Sequence, residues 1–227
     1  MMNMQEILDP AVQRWSEDHP DAVRAMTTFH EAGVRFGASA SLASQLVGEV
    51  VGMPALRPAD DIDLLVVGED FPLALSLLPN ASARIEESFV IPAGDKQELR
   101  FIADEAVGRV GDNTFQFMRP HTPLMSPEHC YHTAFTEQAA QGNMHFETKE
   151  GIVTLAHIWE AIALYGISQR IHGKNDAHNT ATLLHLCRPG DDYVARRAEK
   201  QGIDNRVWEF IGHAGLITAQ RDYAMAG

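Results

Sequence analysis

The run Asp61-Ile62-Asp63-Leu64-Leu65-Val66-Val67-Gly68 constrains this chain more than any other stretch. Ile62 and residues 64 to 67 form the near-continuous apolar pattern of a strand covered on both faces, yet the strand opens on acids. Ionised carboxylates there must be paired, metal-bound or at the strand's solvent end, because burying an isolated charge is costly. Alternate residues of a strand share a face, so Asp61 and Asp63 converge while Asp60 points the other way. Two converging carboxylates suit a hard divalent cation such as Mg²⁺ or Mn²⁺, which takes oxygen ligands. A solvated acidic cluster in a loop entering a strand is the competing reading of the bare pair.

The turn Phe36-Gly37-Ala38-Ser39-Ala40 adds to it. It lies between the short run 34 to 38, read as a strand, and a helical segment in which Leu42, Gln45, Leu46 and Val50 share a face. A strand-to-helix turn can offer backbone N–H groups, the helix N-terminus and the Ser39 hydroxyl to an anion. Taken singly it reads as an ordinary connection. Together with the acidic pair it is more specific than either feature alone.

The rest of the chain supplies a frame for these two features. Pro20 at a first helical turn, Ala22, Val23, Met26, Phe29 and His30 on one face and a stop at Gly33 predict a helix over 20 to 32. A short helix is expected over 71 to 78. Three β-like runs follow between Phe89 and Met118, as an antiparallel extension of the sheet. Ser126 to Gln141 reads as a helix ending at Gly142-Asn143, with a strand near residues 145 to 153. From Thr154, taken as a possible N-cap, the pattern turns helical, with Trp159 and Trp208 as core. The expected fold is α/β (α+β), a mixed sheet flanked by helices over residues 1–150 with a helical region over 151–227.

Composition narrows the function. With 18 basic against 31 acidic side chains and a net charge of −13, a 227-residue chain of this kind repels a phosphodiester backbone, so long nucleic acid is a poor partner. An apolar share of 45% excludes disorder. Cys130 and Cys187 stand alone, far from any CxxC spacing, which argues for a reducing cytoplasm. No apolar run approaches the roughly 20 residues of a membrane span, and MMNMQEILDP carries no leader pattern, so no membrane partner is expected.

The combination GVRFGASASL, a spacer, then RPADDIDLLV resembles the nucleotidyltransferase superfamily related to DNA polymerase beta, and within it the abortive-infection toxin-type branch, toxin-antitoxin-like in setting. Gly37, Ser39, Ala40, Arg57, Asp61 and Asp63 match its motifs; Lys174 and Asp176 match a helical Lys-Asp element loosely. The resemblance implies that Asp61 and Asp63 are catalytic and hold a metal bridging the phosphates of a nucleoside triphosphate, with Gly37, Ser39 and Arg57 on the nucleotide. It implies transfer of a nucleoside monophosphate to a hydroxyl-type acceptor on a small molecule, a protein or an RNA end.

The sequence departs from that pattern in three places. Ala38 stands where a second Gly or Ser is usual, and Ala59 where Ser or Thr is usual. The third carboxylate of the family falls, in the most natural register, on Gln116, which is neutral; Glu98 and Glu147 are the substitutes on offer. An alternative follows, a catalytically degraded member that binds a nucleotide or a protein. A metal-bound nucleotide-sugar transferase is a third reading, against which Arg57 and the Gly37–Ser39 turn speak. His129, Cys130 and His132, the set His172, His178 and His185, and the basic group Arg196, Arg197 and Lys200 read as ordinary helix faces.

Overall fold

Asn3 opens the first helix with a reciprocal cap: its side chain accepts from the Gln5 N–H, and Glu6 reaches back to the Asn3 N–H. The computed structural model describes residues 3–59, 61–78, 82–92, 98–120, 137–167, 174–187 and 193. That helix, α1 (Met4–Asp18), runs through Pro10 and buries Leu8, Ala11, Val12 and Trp15. The sequence pattern did not announce it. Pro20 then starts α2 (Pro20–Glu31), which buries the expected face and ends before Gly33, a glycine at φ +78°.

The acidic motif and the turn fall on consecutive elements. β1 (Phe36–Ala38) leads into α3 (Ala40–Val51), which ends at Gly52 in the left-handed region; β2 (Ile62–Val66) follows, buried at all five positions. A 3-10 turn (Gly68–Asp70) and α4 (Phe71–Leu77) lead to β3 (Ser82–Pro92), β4 (Glu98–Val110) and β5 (Asn113–Pro120). These three strands are the expected antiparallel extension. The helix predicted over Ser126 to Gln141 lies mostly outside the described residues; its end is α5 (Glu137–Ala140).

Where one strand was expected near residues 145 to 153 there is a hairpin, β6 (Met144–Thr148) and β7 (Gly151–Leu155), turning at Lys149-Glu150. Thr154 is therefore a strand residue, its hydroxyl 3.1 Å from Nδ1 of His145, and not a helix cap. α6 (Ile158–Ile167) begins three residues beyond the expected position, with Trp159 buried, and α7 (Lys174–Leu183) follows. Trp208, His172, the His129–His132 group and Arg196, Arg197 and Lys200 lie outside the described residues.

All seven strands belong to one mixed sheet in the order β3-β4-β5-β2-β1-β7-β6. β1 is antiparallel to β2 but parallel to β7, and β2 is parallel to β5. One face carries the main core, where Leu8, Met26, Phe29, Phe36, Leu42, Leu64, Phe115, Phe146, Ile158 and Trp159 meet. The other face holds a smaller group, Leu65, Val67, Ala139 and Ala156. α3 packs against both α6 and α7, and Nε2 of His178 lies 3.0 Å from the Pro54 carbonyl. At the outer edge of β6, Gln5 donates to the His145 carbonyl and Gln13 to the Glu147 carbonyl at 2.9 Å. No described helix is long and apolar enough to cross a membrane.

A fork of hydrogen bonds locks the start of β1 to the 3-10 turn. Nε of Arg35 donates to Asp70 at 2.7 Å, Nη2 to its other oxygen at 3.1 Å and the Arg35 N–H at 2.9 Å, with Glu69 and Glu137 beside the same guanidinium. The Arg35 side-chain bond holds the Asp70 carboxyl below the usual carboxylate range, outweighing the opposing effect of burial, and Arg35 is raised in turn by Asp70. A lowered carboxylate stabilises the fold above its unfolded value of about 3.9, and this is lost as pH falls through the folded value. Asp70→Asn is expected to cost about 2 kcal/mol in urea unfolding at pH 7. The deficit relative to wild type should shrink as the pH is lowered below about 4.

Candidate active site

β1 and β2 bring the two motifs together. The ladder pairs Phe36 with Val66, Gly37 with Leu65 and Ala38 with Leu64; one step further Ser39 stands opposite Asp63. The Ser39 N–H donates to the Asp63 carbonyl at 2.8 Å, so the turn and the acidic strand are joined by the main chain. Asp63 is 5% exposed and Ser39 is fully buried. Asp61, half-buried just ahead of β2, accepts a 3.4 Å hydrogen bond at its carbonyl from the Ser41 hydroxyl.

The α3 N-terminus is prepared but not capped. Ser39 occupies the N-cap position in extended conformation without a side-chain capping bond, and its Oγ has no hydrogen-bond partner among the described residues. Ala40 follows at φ +47°, where a β-carbon is strained by an order of 1 kcal/mol or more. No acidic residue occupies the first turn of α3. Free N–H groups, a positive helix end and an unbonded hydroxyl thus lie beside a buried carboxylate.

Gly37 has a structural reason of its own. A β-carbon there would lie 2.6 Å from the Ala156 nitrogen and 2.7 Å from its α-carbon. The glycine is required because the chain leaving β7 passes against it. Ala38, where the family pattern has a second Gly or Ser, is fully buried in the main core. Arg57 is exposed in the loop before Asp61, and the Ala59 N–H donates to Oε1 of Gln45 at 3.2 Å. Lys174 and Asp176 lie in the first turn of α7.

The third position is neutral. Asp63 pairs with Gln116 in the parallel ladder, and Gln116 pairs with Val107 on the next strand. Glu98 is nine residues along β4 from Val107, roughly 30 Å at strand spacing. Glu147 is exposed on β6, three strands from β2. Neither substitute reaches the pair. Among the described residues no group of three or more His, Cys, Asp or Glu side chains is arranged to hold a metal. The pair itself fits a Mg²⁺ that arrives with a triphosphate, because that ion is commonly held by one or two carboxylates plus phosphate oxygens.

Asp61 also lines a cavity of about 440 Å³ between the α1–α2 junction, α3 and the β4–β5 turn. Trp15, His19, Gln45, Asp18, Asp21 and Asp112 share its wall. α1 was not foreseen, so this cavity was not legible before the fold. Gly37→Ala is expected to lower the unfolding free energy by about 3 kcal/mol in denaturant titration, since backbone rather than a movable side chain blocks the new methyl group.

No family model matches the sequence, and no curated protein is similar to it. Two solved structures superpose over most of the chain. The crystal structure of ANT(2")-Ia in complex with adenylyl-2"-tobramycin is 14% identical, with 87% of this chain and 94% of that one covered and a TM-score of 0.31. The solution structure of the antibiotic-resistance factor ANT(2'')-Ia is also 14% identical, covering 91% and 96% with a TM-score of 0.28. At these superposition scores the functional reading rests on the chain's own residues.

Proposed function

We propose that the chain is a metal-dependent nucleotidyltransferase, with residues 1–150 as its nucleotide-binding part. The observation that carries this reading is the juxtaposition of Ser39, buried and without a described hydrogen-bond partner for its hydroxyl, with the buried carboxylate of Asp63 across one main-chain hydrogen bond. The first turn of α3 and the Ser39 hydroxyl take phosphate oxygens, and Arg57 reaches the same anion from the loop. Asp61 and Asp63 hold the divalent ion, Mg²⁺ or Mn²⁺, which neutralises charge on the phosphates when bound.

The acceptor hydroxyl oxygen attacks the α-phosphorus, the bond to the β-phosphate oxygen breaks, and pyrophosphate leaves with the electron pair. Gln116 has no basic group, so the hydroxyl proton passes to Asp61, the more exposed of the pair, or to water. The cavity beside Asp61 accommodates a small acceptor, and its acidic wall suits one that is neutral or cationic. A net charge of −13 disfavours long nucleic acid in that role, and the acceptor is a small molecule, a protein or an RNA end. The setting proposed is cytoplasmic.

A second reading, a degraded member that binds a nucleotide or a protein without transfer, is favoured by one observation, the neutral Gln116 beside Asp63. Thermal melts against the four ribonucleoside triphosphates, with and without Mg²⁺ or Mn²⁺, test both. A metal-dependent rise in Tm with one triphosphate is expected for wild type and not for the Asp61→Ala, Asp63→Ala double variant, which stays folded. No rise with any triphosphate refutes nucleotide binding and leaves protein binding.

Ser39→Ala is expected to keep or raise stability, by an order of 1 kcal/mol, while weakening triphosphate binding. A loss of stability would instead make the hydroxyl structural. Gln116→Asp is expected to tighten metal binding and to raise transfer if the missing carboxylate limits the reaction. The same variant should melt lower without metal, because like charges then adjoin.

A further inference from the structure

Tyr193 occupies a socket built by two separate parts of the chain. Its ring lies on His157, with centroids 3.6 Å apart and planes 12° from parallel. Its hydroxyl donates to Oε1 of Glu160 at 2.9 Å, and Glu160 is itself only 5% exposed in the first turn of α6. The third wall is Gly142, where a β-carbon would lie 2.5 Å from the ring. His157 is anchored as well, since its Nδ1 accepts the Trp159 N–H at 3.2 Å. That bond requires an unprotonated Nδ1 and fixes the ring at the start of α6.

The segment under Tyr193 begins at Ala156, and Ala156 is in main-chain contact with the candidate site. Its N–H donates to the Ala38 carbonyl at 2.9 Å, and its backbone closes the space over Gly37. Contact of backbone on backbone has no soft side chain to absorb a displacement. A shift of Ala156 therefore moves Gly37 and, two residues on, Ser39, whose N–H carries the bond to Asp63.

We propose that Tyr193 is a positioning residue for the phosphate-side turn, which it acts on by holding residues 156 to 160 against Gly37. The effect on nucleotide affinity rests on the function proposed above, whereas the coupling itself does not. Tyr193→Phe removes the hydroxyl and keeps the stacked ring; Tyr193→Leu removes both.

The test is native-state amide hydrogen exchange on the full chain, wild type and both variants, alongside titration with the triphosphate and Mg²⁺. Faster exchange at Ala156 and Ser39 is expected in Tyr193→Leu, by about tenfold relative to the α2 amides of Val23 and Phe29, with Tyr193→Phe between. Triphosphate affinity should fall by about the same factor. Unchanged exchange at Ala156 and Ser39 overturns the proposal, as does an equal rise in α2, which marks a merely structural residue. If wild type binds no triphosphate, the functional reading fails, and the exchange pattern still decides the coupling.

Discussion

The fold depends on how closely the chain can pass at Gly37. β1 has three residues, yet it joins the four-strand half of the sheet, β2 to β3, to the β7–β6 hairpin. Its pairing with β7 rests on one register position, Ala38 with Leu155, and on the Ala156 hydrogen bond beyond it. A side chain at Gly37 would force the two backbones to shift apart. The β1–β2 ladder places Ser39 beside Asp63, and the contact at Gly37 holds the other edge of the same short strand.

The same region stores unfavourable free energy. Ala40 is held at positive φ, and the Ser39 hydroxyl is dehydrated without a described partner. Each costs about 1 kcal/mol or more, and the core of apolar residues across the sheet offsets them. Strain of this kind in adjacent residues is consistent with the site proposed above.

Much of this was legible in the sequence because the signals were local. Pro20 and Gly33 bound α2, the apolar body of β2 follows directly on its acids, and the family resemblance put Gln116 at the position that pairs with Asp63. What stayed hidden depends on packing at a distance. α1 carries Pro10 in its interior, which reads as a break unless the cap at Asn3 and the buried face are seen together. Thr154 looks like a helix cap by type, but pairing with His145 makes it a strand residue. The bare α-carbon of Gly37 also makes room for Ala156, a contact between distant parts of the chain that no local pattern shows.

The two glutamines that α1 lays along β6 have a consequence outside the site. β6 is the last described strand of the sheet, and an open strand edge recruits strands from other molecules. Gln5 and Gln13 occupy the His145 and Glu147 carbonyls on that border, so a helix near the start of the chain acts as a selvedge for the sheet. α1 thus occupies hydrogen-bonding groups through which a strand of another molecule would otherwise pair.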